Sequence, residues 1–139
     1  MEFNAIQTIP NRVAECRNIK MYLVIDDDPL ICQIFEDILS SEGVETKAFS
    51  NASEVAPLLQ NESIDGVIID YHLGEFNGVE AIEGLRQQGL SHEVPTLILS
   101  SDTSEEVQRD CQDHNLEFIS KYDADLFSQI YDKLDIPLR

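Results

Sequence analysis

The stretch Asp65-Gly66-Val67-Ile68-Ile69-Asp70-Tyr71-His72-Leu73 sets three β-branched residues behind a glycine and stops them on a carboxylate. A short continuous apolar run of this kind reads as a strand covered on both faces, as in a parallel sheet. An earlier run, Met21-Tyr22-Leu23-Val24-Ile25, leads straight into Asp26-Asp27-Asp28-Pro29. Two buried strands therefore deliver carboxylates at their C-terminal ends, the edge at which open α/β sheets bind ligands. The expectation is that Asp26, Asp27 and Asp70 converge there on a divalent cation, and that one of them carries the chemistry.

Outward from these two strands the chain alternates. Pro29 opens a helix with Asp28 as N-cap, Ile31, Ile34, Phe35, Ile38 and Leu39 form its apolar face, and Gly43 ends it. Val44–Phe49 reads as a strand near an edge. Asn51 or Ser53 caps a helix through Gln60, with Pro57 either tolerated in its first turns or shortening it. After Asp70 comes a loop containing Gly74 and Gly78, then a helix marked by Val79, Ile82 and Leu85. Thr96–Leu99 is a fourth buried strand ending in Ser100-Ser101. Ser104 opens a polar helix whose few apolar anchors are Val107 and Cys111. Leu116–Ser120 is a fifth strand ending at Lys121, and Leu126, Phe127, Ile130, Tyr131 and Leu134 mark the last helix.

The pattern predicts an α/β fold, a doubly wound three-layer sandwich with a five-stranded parallel sheet, about five helices and the flavodoxin-like strand order. Asp26-Asp27-Asp28-Pro29 stands where a dinucleotide binder needs glycines, which argues against a nucleotide site. Residues 1–19 read as a leader or linker, with Ile6, Ile9, Val13 and Cys16 at helical spacing, and residues 20–139 as the folded domain.

Composition bounds the function. At 139 residues, 42% hydrophobic and 26% charged, the chain fits one globular domain. A net charge of -18 argues against direct nucleic-acid binding and against an anionic membrane surface, since both need a basic footprint. The three cysteines, Cys16, Cys32 and Cys111, are odd in number and widely spaced, which suggests free thiols in a reducing compartment. Cys32 lies on a helical apolar pattern and reads as a small core residue. No apolar run approaches a membrane span and no signal-peptide pattern opens the chain, so the expected location is cytoplasmic.

The strand ends together carry Asp26, Asp27, Asp70, Ser100 and Lys121. Carboxylates about 4 Å apart at an effective dielectric near 20 repel by about 4 kcal/mol per pair, and a bound cation offsets this. Oxygen ligands with open positions suit Mg²⁺ or Mn²⁺. A carboxylate beside such a metal, an ammonium and a hydroxyl is what phosphoryl transfer to an aspartate needs. Asp70 stands alone at its strand end and is assigned as acceptor, with the Asp26–Asp27 pair as metal holders.

Four segments, in order and each at a strand end, carry a resemblance: Val24-Ile-Asp-Asp-Asp-Pro29, Val67-Ile-Ile-Asp-Tyr-His-Leu-Gly-Glu-Phe-Asn-Gly78, Pro95-Thr-Leu-Ile-Leu-Ser-Ser101 and Phe118-Ile-Ser-Lys121. From about residue 20 to 135 the chain resembles the receiver domain of two-component response regulators, the CheY-like family. The resemblance implies that Asp70 takes a phosphoryl group from a phosphohistidine on a sensor histidine kinase or a phosphotransfer protein. It implies that Asp27 binds Mg²⁺ directly, Asp26 mainly through water, and the His72 backbone carbonyl as a further ligand. Lys121 then pairs with the phosphoryl group, Ser100 bonds a phosphoryl oxygen, and Phe118 is the aromatic that turns inward as Ser100 moves. His72 and Asp102 occupy the positions at which the family tunes hydrolysis. A receiver of this kind catalyses its own phosphorylation and dephosphorylation without turnover on outside substrates, and signals to a downstream protein or output domain.

Three positions depart from the family pattern. Tyr122 follows Lys121 where proline is usual, Gly74 replaces a common proline, and Ser101 replaces a small apolar residue. The competing readings are a pseudo-receiver, an interaction module independent of phosphorylation, and an Mg²⁺-dependent phosphohydrolase built on Asp26-Asp27-Asp28.

Overall fold

The computed structural model describes residues 19–136. Five strands, β1 (Met21–Ile25), β2 (Glu45–Phe49), β3 (Gly66–Asp70), β4 (Thr96–Ser100) and β5 (Glu117–Ser120), form one sheet in the order β2-β1-β3-β4-β5. Every pairing in it is parallel. This is the flavodoxin-like order, and its switch point lies between β1 and β3, where Asp26 and Asp70 emerge.

The described residues contain four α-helices: α1 (Pro29–Ser40), α2 (Gly78–Gln87) and α3 (Glu105–Asp113) connect strands, and α4 (Leu126–Lys133) follows β5. The strand side chains divide the core in two. Leu23, Ile25, Val67, Ile69 and Ile98 pack with Val79, Ile82 and Leu85 of α2 and with Val107 and Cys111 of α3. Tyr22, Val24, Ile68, Leu97 and Leu99 pack with Phe35 and Leu39 of α1 and Ile130 of α4. That division is the three-layer sandwich. The central strands β1, β3 and β4 are buried along their whole length, whereas β2 at the edge is half-buried.

Local signals explain the boundaries. Asp28 accepts from the Leu30 amide at 3.0 Å and Pro29 opens the first turn of α1, while Gly43 leaves the helix at a φ of 82°. The helix expected over 51–60 is instead two 3₁₀ segments, Ala52–Glu54 and Ala56–Gln60. Pro57 has no amide to donate and its ring opposes the preceding turn, so the chain breaks and restarts with proline in a first turn. Asn51 is the N-cap of the first segment.

The loop after Asp70 contains a small antiparallel hairpin, His72–Leu73 with Phe76–Asn77, turning at Gly74 with a φ of 89°. Gly78 is not in that loop but opens α2, behind a reciprocal cap between Asn77 and Glu80. The Gly78 amide donates to the Tyr71 carbonyl at 2.6 Å, and a Cβ at Gly78 would lie 2.6 Å from the Asp70 carbonyl oxygen. Only glycine allows this approach.

The loop at Tyr122 closes without proline. No cis peptide occurs among the described residues. The Lys121 amide donates to the Ser100 carbonyl at 2.9 Å, and the Tyr122 amide to Ser120 Oγ at 3.1 Å. The helical pattern at Ile6, Ile9, Val13 and Cys16 lies outside the described residues.

Candidate phosphorylation site

Asp26 and Asp27 follow β1, and Asp70 ends β3. One oxygen from each of the three carboxylates lies within 4.8 Å of the others. The three carboxylates therefore converge, and oxygen donors are the type a hard divalent cation takes.

The two members of the pair are not equivalent. Asp26 is 4% exposed and its carboxylate is already engaged: Oδ2 accepts from Lys121 Nζ at 3.0 Å and Oδ1 from the Asp28 amide at 2.9 Å. Asp27 is exposed at the mouth, with a carboxylate open to a ligand. The Cys32 thiol, half-buried and not in the core, donates to the Asp26 carbonyl at 3.2 Å. It braces the turn that presents the pair.

Lys121 arrives from the end of β5. Its ammonium lies 3.0 Å from Asp26 Oδ2 and 3.1 Å from Asp70 Oδ1. Burial works against its charge, but the hydrogen bond and charge of Asp26, and then those of Asp70, outweigh it and hold its pKa above the ordinary lysine value. Asp70 moves the other way. Burial first, then the charge of Asp26, pushes its carboxyl above the ordinary aspartate value, and Lys121 reverses only part of this. One ammonium among three carboxylates leaves the crevice with a surplus of negative charge that a divalent cation would cancel.

Ser100 ends β4, beside Asp70, and is 1% exposed. Its Oγ accepts from the Asp102 amide at 3.0 Å, so the hydroxyl is tied to the loop leading into α3. Phe118 on β5 is half-buried against the core layer of α2 and α3. His72 and Asp102 meet each other: Nε2 and Oδ2 are 3.0 Å apart, with side chains 60% and 39% exposed. The Ser104 backbone amide, and then His72, hold the Asp102 carboxyl below its ordinary value.

One contact is not anticipated by the sequence reading. The Tyr71 hydroxyl donates to Asp110 Oδ2 at 2.8 Å, which joins the residue after Asp70 to the middle of α3. Tyr71 is 8% exposed and its ring meets that of His72 edge-on at 4.9 Å. The available signal was slight: Asp110 lies three residues after Val107 and just before Cys111, on the flank of the buried face.

A family model described as the response regulator receiver domain matches residues 22–130. The chain belongs to that family. As a receiver it shares 29% identity over 101 residues with the sensory/regulatory protein RpfC of Xanthomonas campestris pv. campestris, a match that covers 71% of this chain and 14% of that protein. This receiver thus corresponds to a small part of RpfC. A CheY-like receiver domain protein from Methanospirillum hungatei has the same fold, with a TM-score of 0.73 at 26% identity over 84% of this chain and 94% of that one. A receiver domain of a sensor histidine kinase from Pseudomonas aeruginosa aligns with a TM-score of 0.70 at 18% identity over 84% and 98% of the chains; its structure holds a magnesium ion in the active-site cleft. Receiver domains are signalling modules of two-component systems. Phosphorylation is the chemistry general to the family, with Mg²⁺ bound at an acidic pocket and histidine kinases as partners. In this chain Asp26, Asp27 and Asp70 form a cluster of carboxylates at the C-terminal ends of β1 and β3.

Proposed function

We propose that this receiver is phosphorylated on Asp70 and that the modification alters a partner-binding surface. The observation that carries the reading is the Lys121 ammonium held between Asp26 and Asp70 while the Asp27 carboxylate stays open. An Asp70 oxygen attacks the phosphorus of a phosphohistidine, the P–N bond breaks, and an acyl phosphate forms as the imidazole takes up a proton. Lys121 neutralises charge on the transferred group. Asp27, Asp26 through water, Asp70 and the His72 backbone carbonyl would hold Mg²⁺, or Mn²⁺, which supplies further neutralisation at the phosphoryl oxygens.

After transfer, the phosphoryl group carries nearly two negative charges and strong acceptor oxygens. The Ser100 hydroxyl turns to it and loosens its bond from the Asp102 amide, and Phe118 follows inward. Coupling of about 1–3 kcal/mol is enough for such a switch. His72 and Asp102, bridged across the site, set the lifetime of the acyl phosphate. The donor is a sensor histidine kinase or phosphotransfer protein and the recipient a downstream protein or output domain. Leu30 and Tyr122, 65% and 80% exposed beside the acidic turn and Lys121, support docking of an apolar partner face at the crevice. The setting is cytoplasmic, without turnover of external substrates; among the described residues no helix is long and apolar enough to cross a membrane.

The test is acetyl phosphate with Mg²⁺, with and without EDTA, read by intact mass beside Asp70→Asn. A single phosphoryl adduct that needs Mg²⁺ and is lost in the variant is the expected result. If neither acetyl phosphate nor a phosphorylated histidine donor labels the protein, the phosphorylation-independent interaction module replaces this reading.

A further inference from the structure

At the opposite edge of the sheet, away from the acidic crevice, lies a second concave site with different chemistry. A cavity of about 190 Å³ opens beside the start of β4 and β5, and its lining includes Arg86, His92, Thr96, Asn115, Glu117 and Lys133. In a chain with a net charge of -18, it gathers two cationic side chains, Arg86 from the end of α2 and Lys133 from the end of α4.

Arg86 is the unusual member. Its side chain is only 10% exposed, yet its Nε is fully buried with no hydrogen-bond acceptor. Its ion pair among the described residues, Nη1 with Glu83 Oε2, is long at 3.6 Å and reaches a carboxylate that is 42% exposed. A buried guanidinium this poorly partnered is costly; Nε is closed to the cavity, so an anion there would meet the Nη groups of Arg86. Lys133 is held at the wall by Glu117 Oε1 at 3.0 Å, with its own side chain 32% exposed. Glu93 and Glu117 also line the cavity, so the site is balanced in charge and not strongly cationic.

We propose that this cavity binds a small oxyanion, a phosphate or a compact carboxylate, held by the Arg86 guanidinium with Lys133 as second charge. The guanidinium fork matches both anions, and the volume suits a group of that size and not a nucleotide. The ligand would join the ends of α2 and α4 to the start of β4, on the face remote from Asp70. The proposal does not depend on phosphorylation of Asp70.

The experiment is an NMR titration of the whole chain with inorganic phosphate, and in a second arm with succinate, against chloride at constant ionic strength and without Mg²⁺. The Arg86 Nε–H signal reports on the guanidinium whose Nη groups the anion would meet. Saturable shifts there and in the amides of residues 92–97 and 115–117 are expected, with those near Asp26 and Asp70 unmoved. Phosphate and succinate arms separate the two anion classes, and saturation in either supports the site. Arg86→Gln should weaken the response about tenfold or more. Lys133→Gln, which leaves Arg86 in place, should weaken it less, and guards against misfolding of the first variant. Shifts that are linear and equal in chloride, or saturable only around Asp70, would overturn the proposal.

Discussion

The Tyr71 hydroxyl donates to Asp110 Oδ2 at 2.8 Å, so the residue next to the candidate phosphoacceptor is bonded to the centre of helix α3. The bond is part-buried and spans 39 residues of sequence. The Asp110 carboxylate and burial of the ring together push the Tyr71 phenol far above its ordinary value, burial being the larger cause. Replacing Tyr71 with Phe removes the donor and keeps the ring. The expected loss is about 1–2 kcal/mol of stability, because the carboxylate loses a partner. Amide exchange should quicken in residues 105–113 while β3 stays protected, which native-state hydrogen exchange can measure.

Asp70 carries a stability signature. Its folded pKa lies above the ordinary value of 3.8, so the folded state holds its proton more tightly than the unfolded chain. Stability is therefore lost as pH rises from that ordinary value through the raised folded value, and the ionised group is a net cost at neutral pH. Asp70→Asn should raise the melting temperature at pH 7, without metal, by about 2–5 °C. The gain should vanish below pH 3.8. Thermal melts across pH would show it, and an Asn variant less stable than the parent at neutral pH would contradict it.

Lys121→Gln removes the ammonium that serves two carboxylates at once. It leaves Asp26, 4% exposed, without its charge partner. A loss of about 3 kcal/mol is expected in denaturant unfolding without metal. Added Mg²⁺ should recover part of it, because a cation takes over the same charge.

Gly78→Ala sets a Cβ 2.6 Å from the Asp70 carbonyl oxygen and 3.2 Å from the Tyr71 Cα. Both neighbours are backbone, so β3 or the start of α2 must shift. Destabilisation of about 2 kcal/mol or more is expected, with slower labelling of Asp70 by acetyl phosphate. Gly84→Ala, where a Cβ meets nothing within 4 Å, is the matched control and should be neutral or slightly stabilising.

The His72–Asp102 pair closes over the loops flanking Asp70, with Nε2 and Oδ2 3.0 Å apart. His72→Ala opens that bridge but keeps the backbone carbonyl. The acyl phosphate should then hydrolyse faster, by about three- to tenfold, as water gains access; this is about 1 kcal/mol in barrier. Decay of the phosphorylated mass with time reads the rate. An unchanged lifetime would mean that the bridge does not shield the phosphate.

The sequence by itself determined the framework. Short, continuous β-branched and aliphatic runs bounded by glycine or a carboxylate cluster read as strands covered on both faces, so Val67–Ile69 and Leu23–Ile25 point to a parallel sheet between two helical layers. Asp28 before Pro29 and Asn77 three residues before Glu80 specify helix starts, because these side chains satisfy amides that have no partner within the helix. Carboxylates placed after two such runs must meet at one sheet edge. These are local or periodic properties, and they are legible without neighbours. The tertiary structure decided what depends on distance between segments remote in sequence. It gives the physical ground for separating Asp26, engaged by Lys121 across 95 residues, from Asp27, open at the mouth. It brings His72 into contact with Asp102, joins Tyr71 to Asp110, and buries the Arg86 guanidinium without an acceptor for Nε. It also resolved the stretch around Pro57 into two short 3₁₀ segments, where local propensity left the choice between a tolerated and a broken helix. Partners of this kind are selected by packing of whole elements against the sheet, and spacing along the chain carries little trace of them.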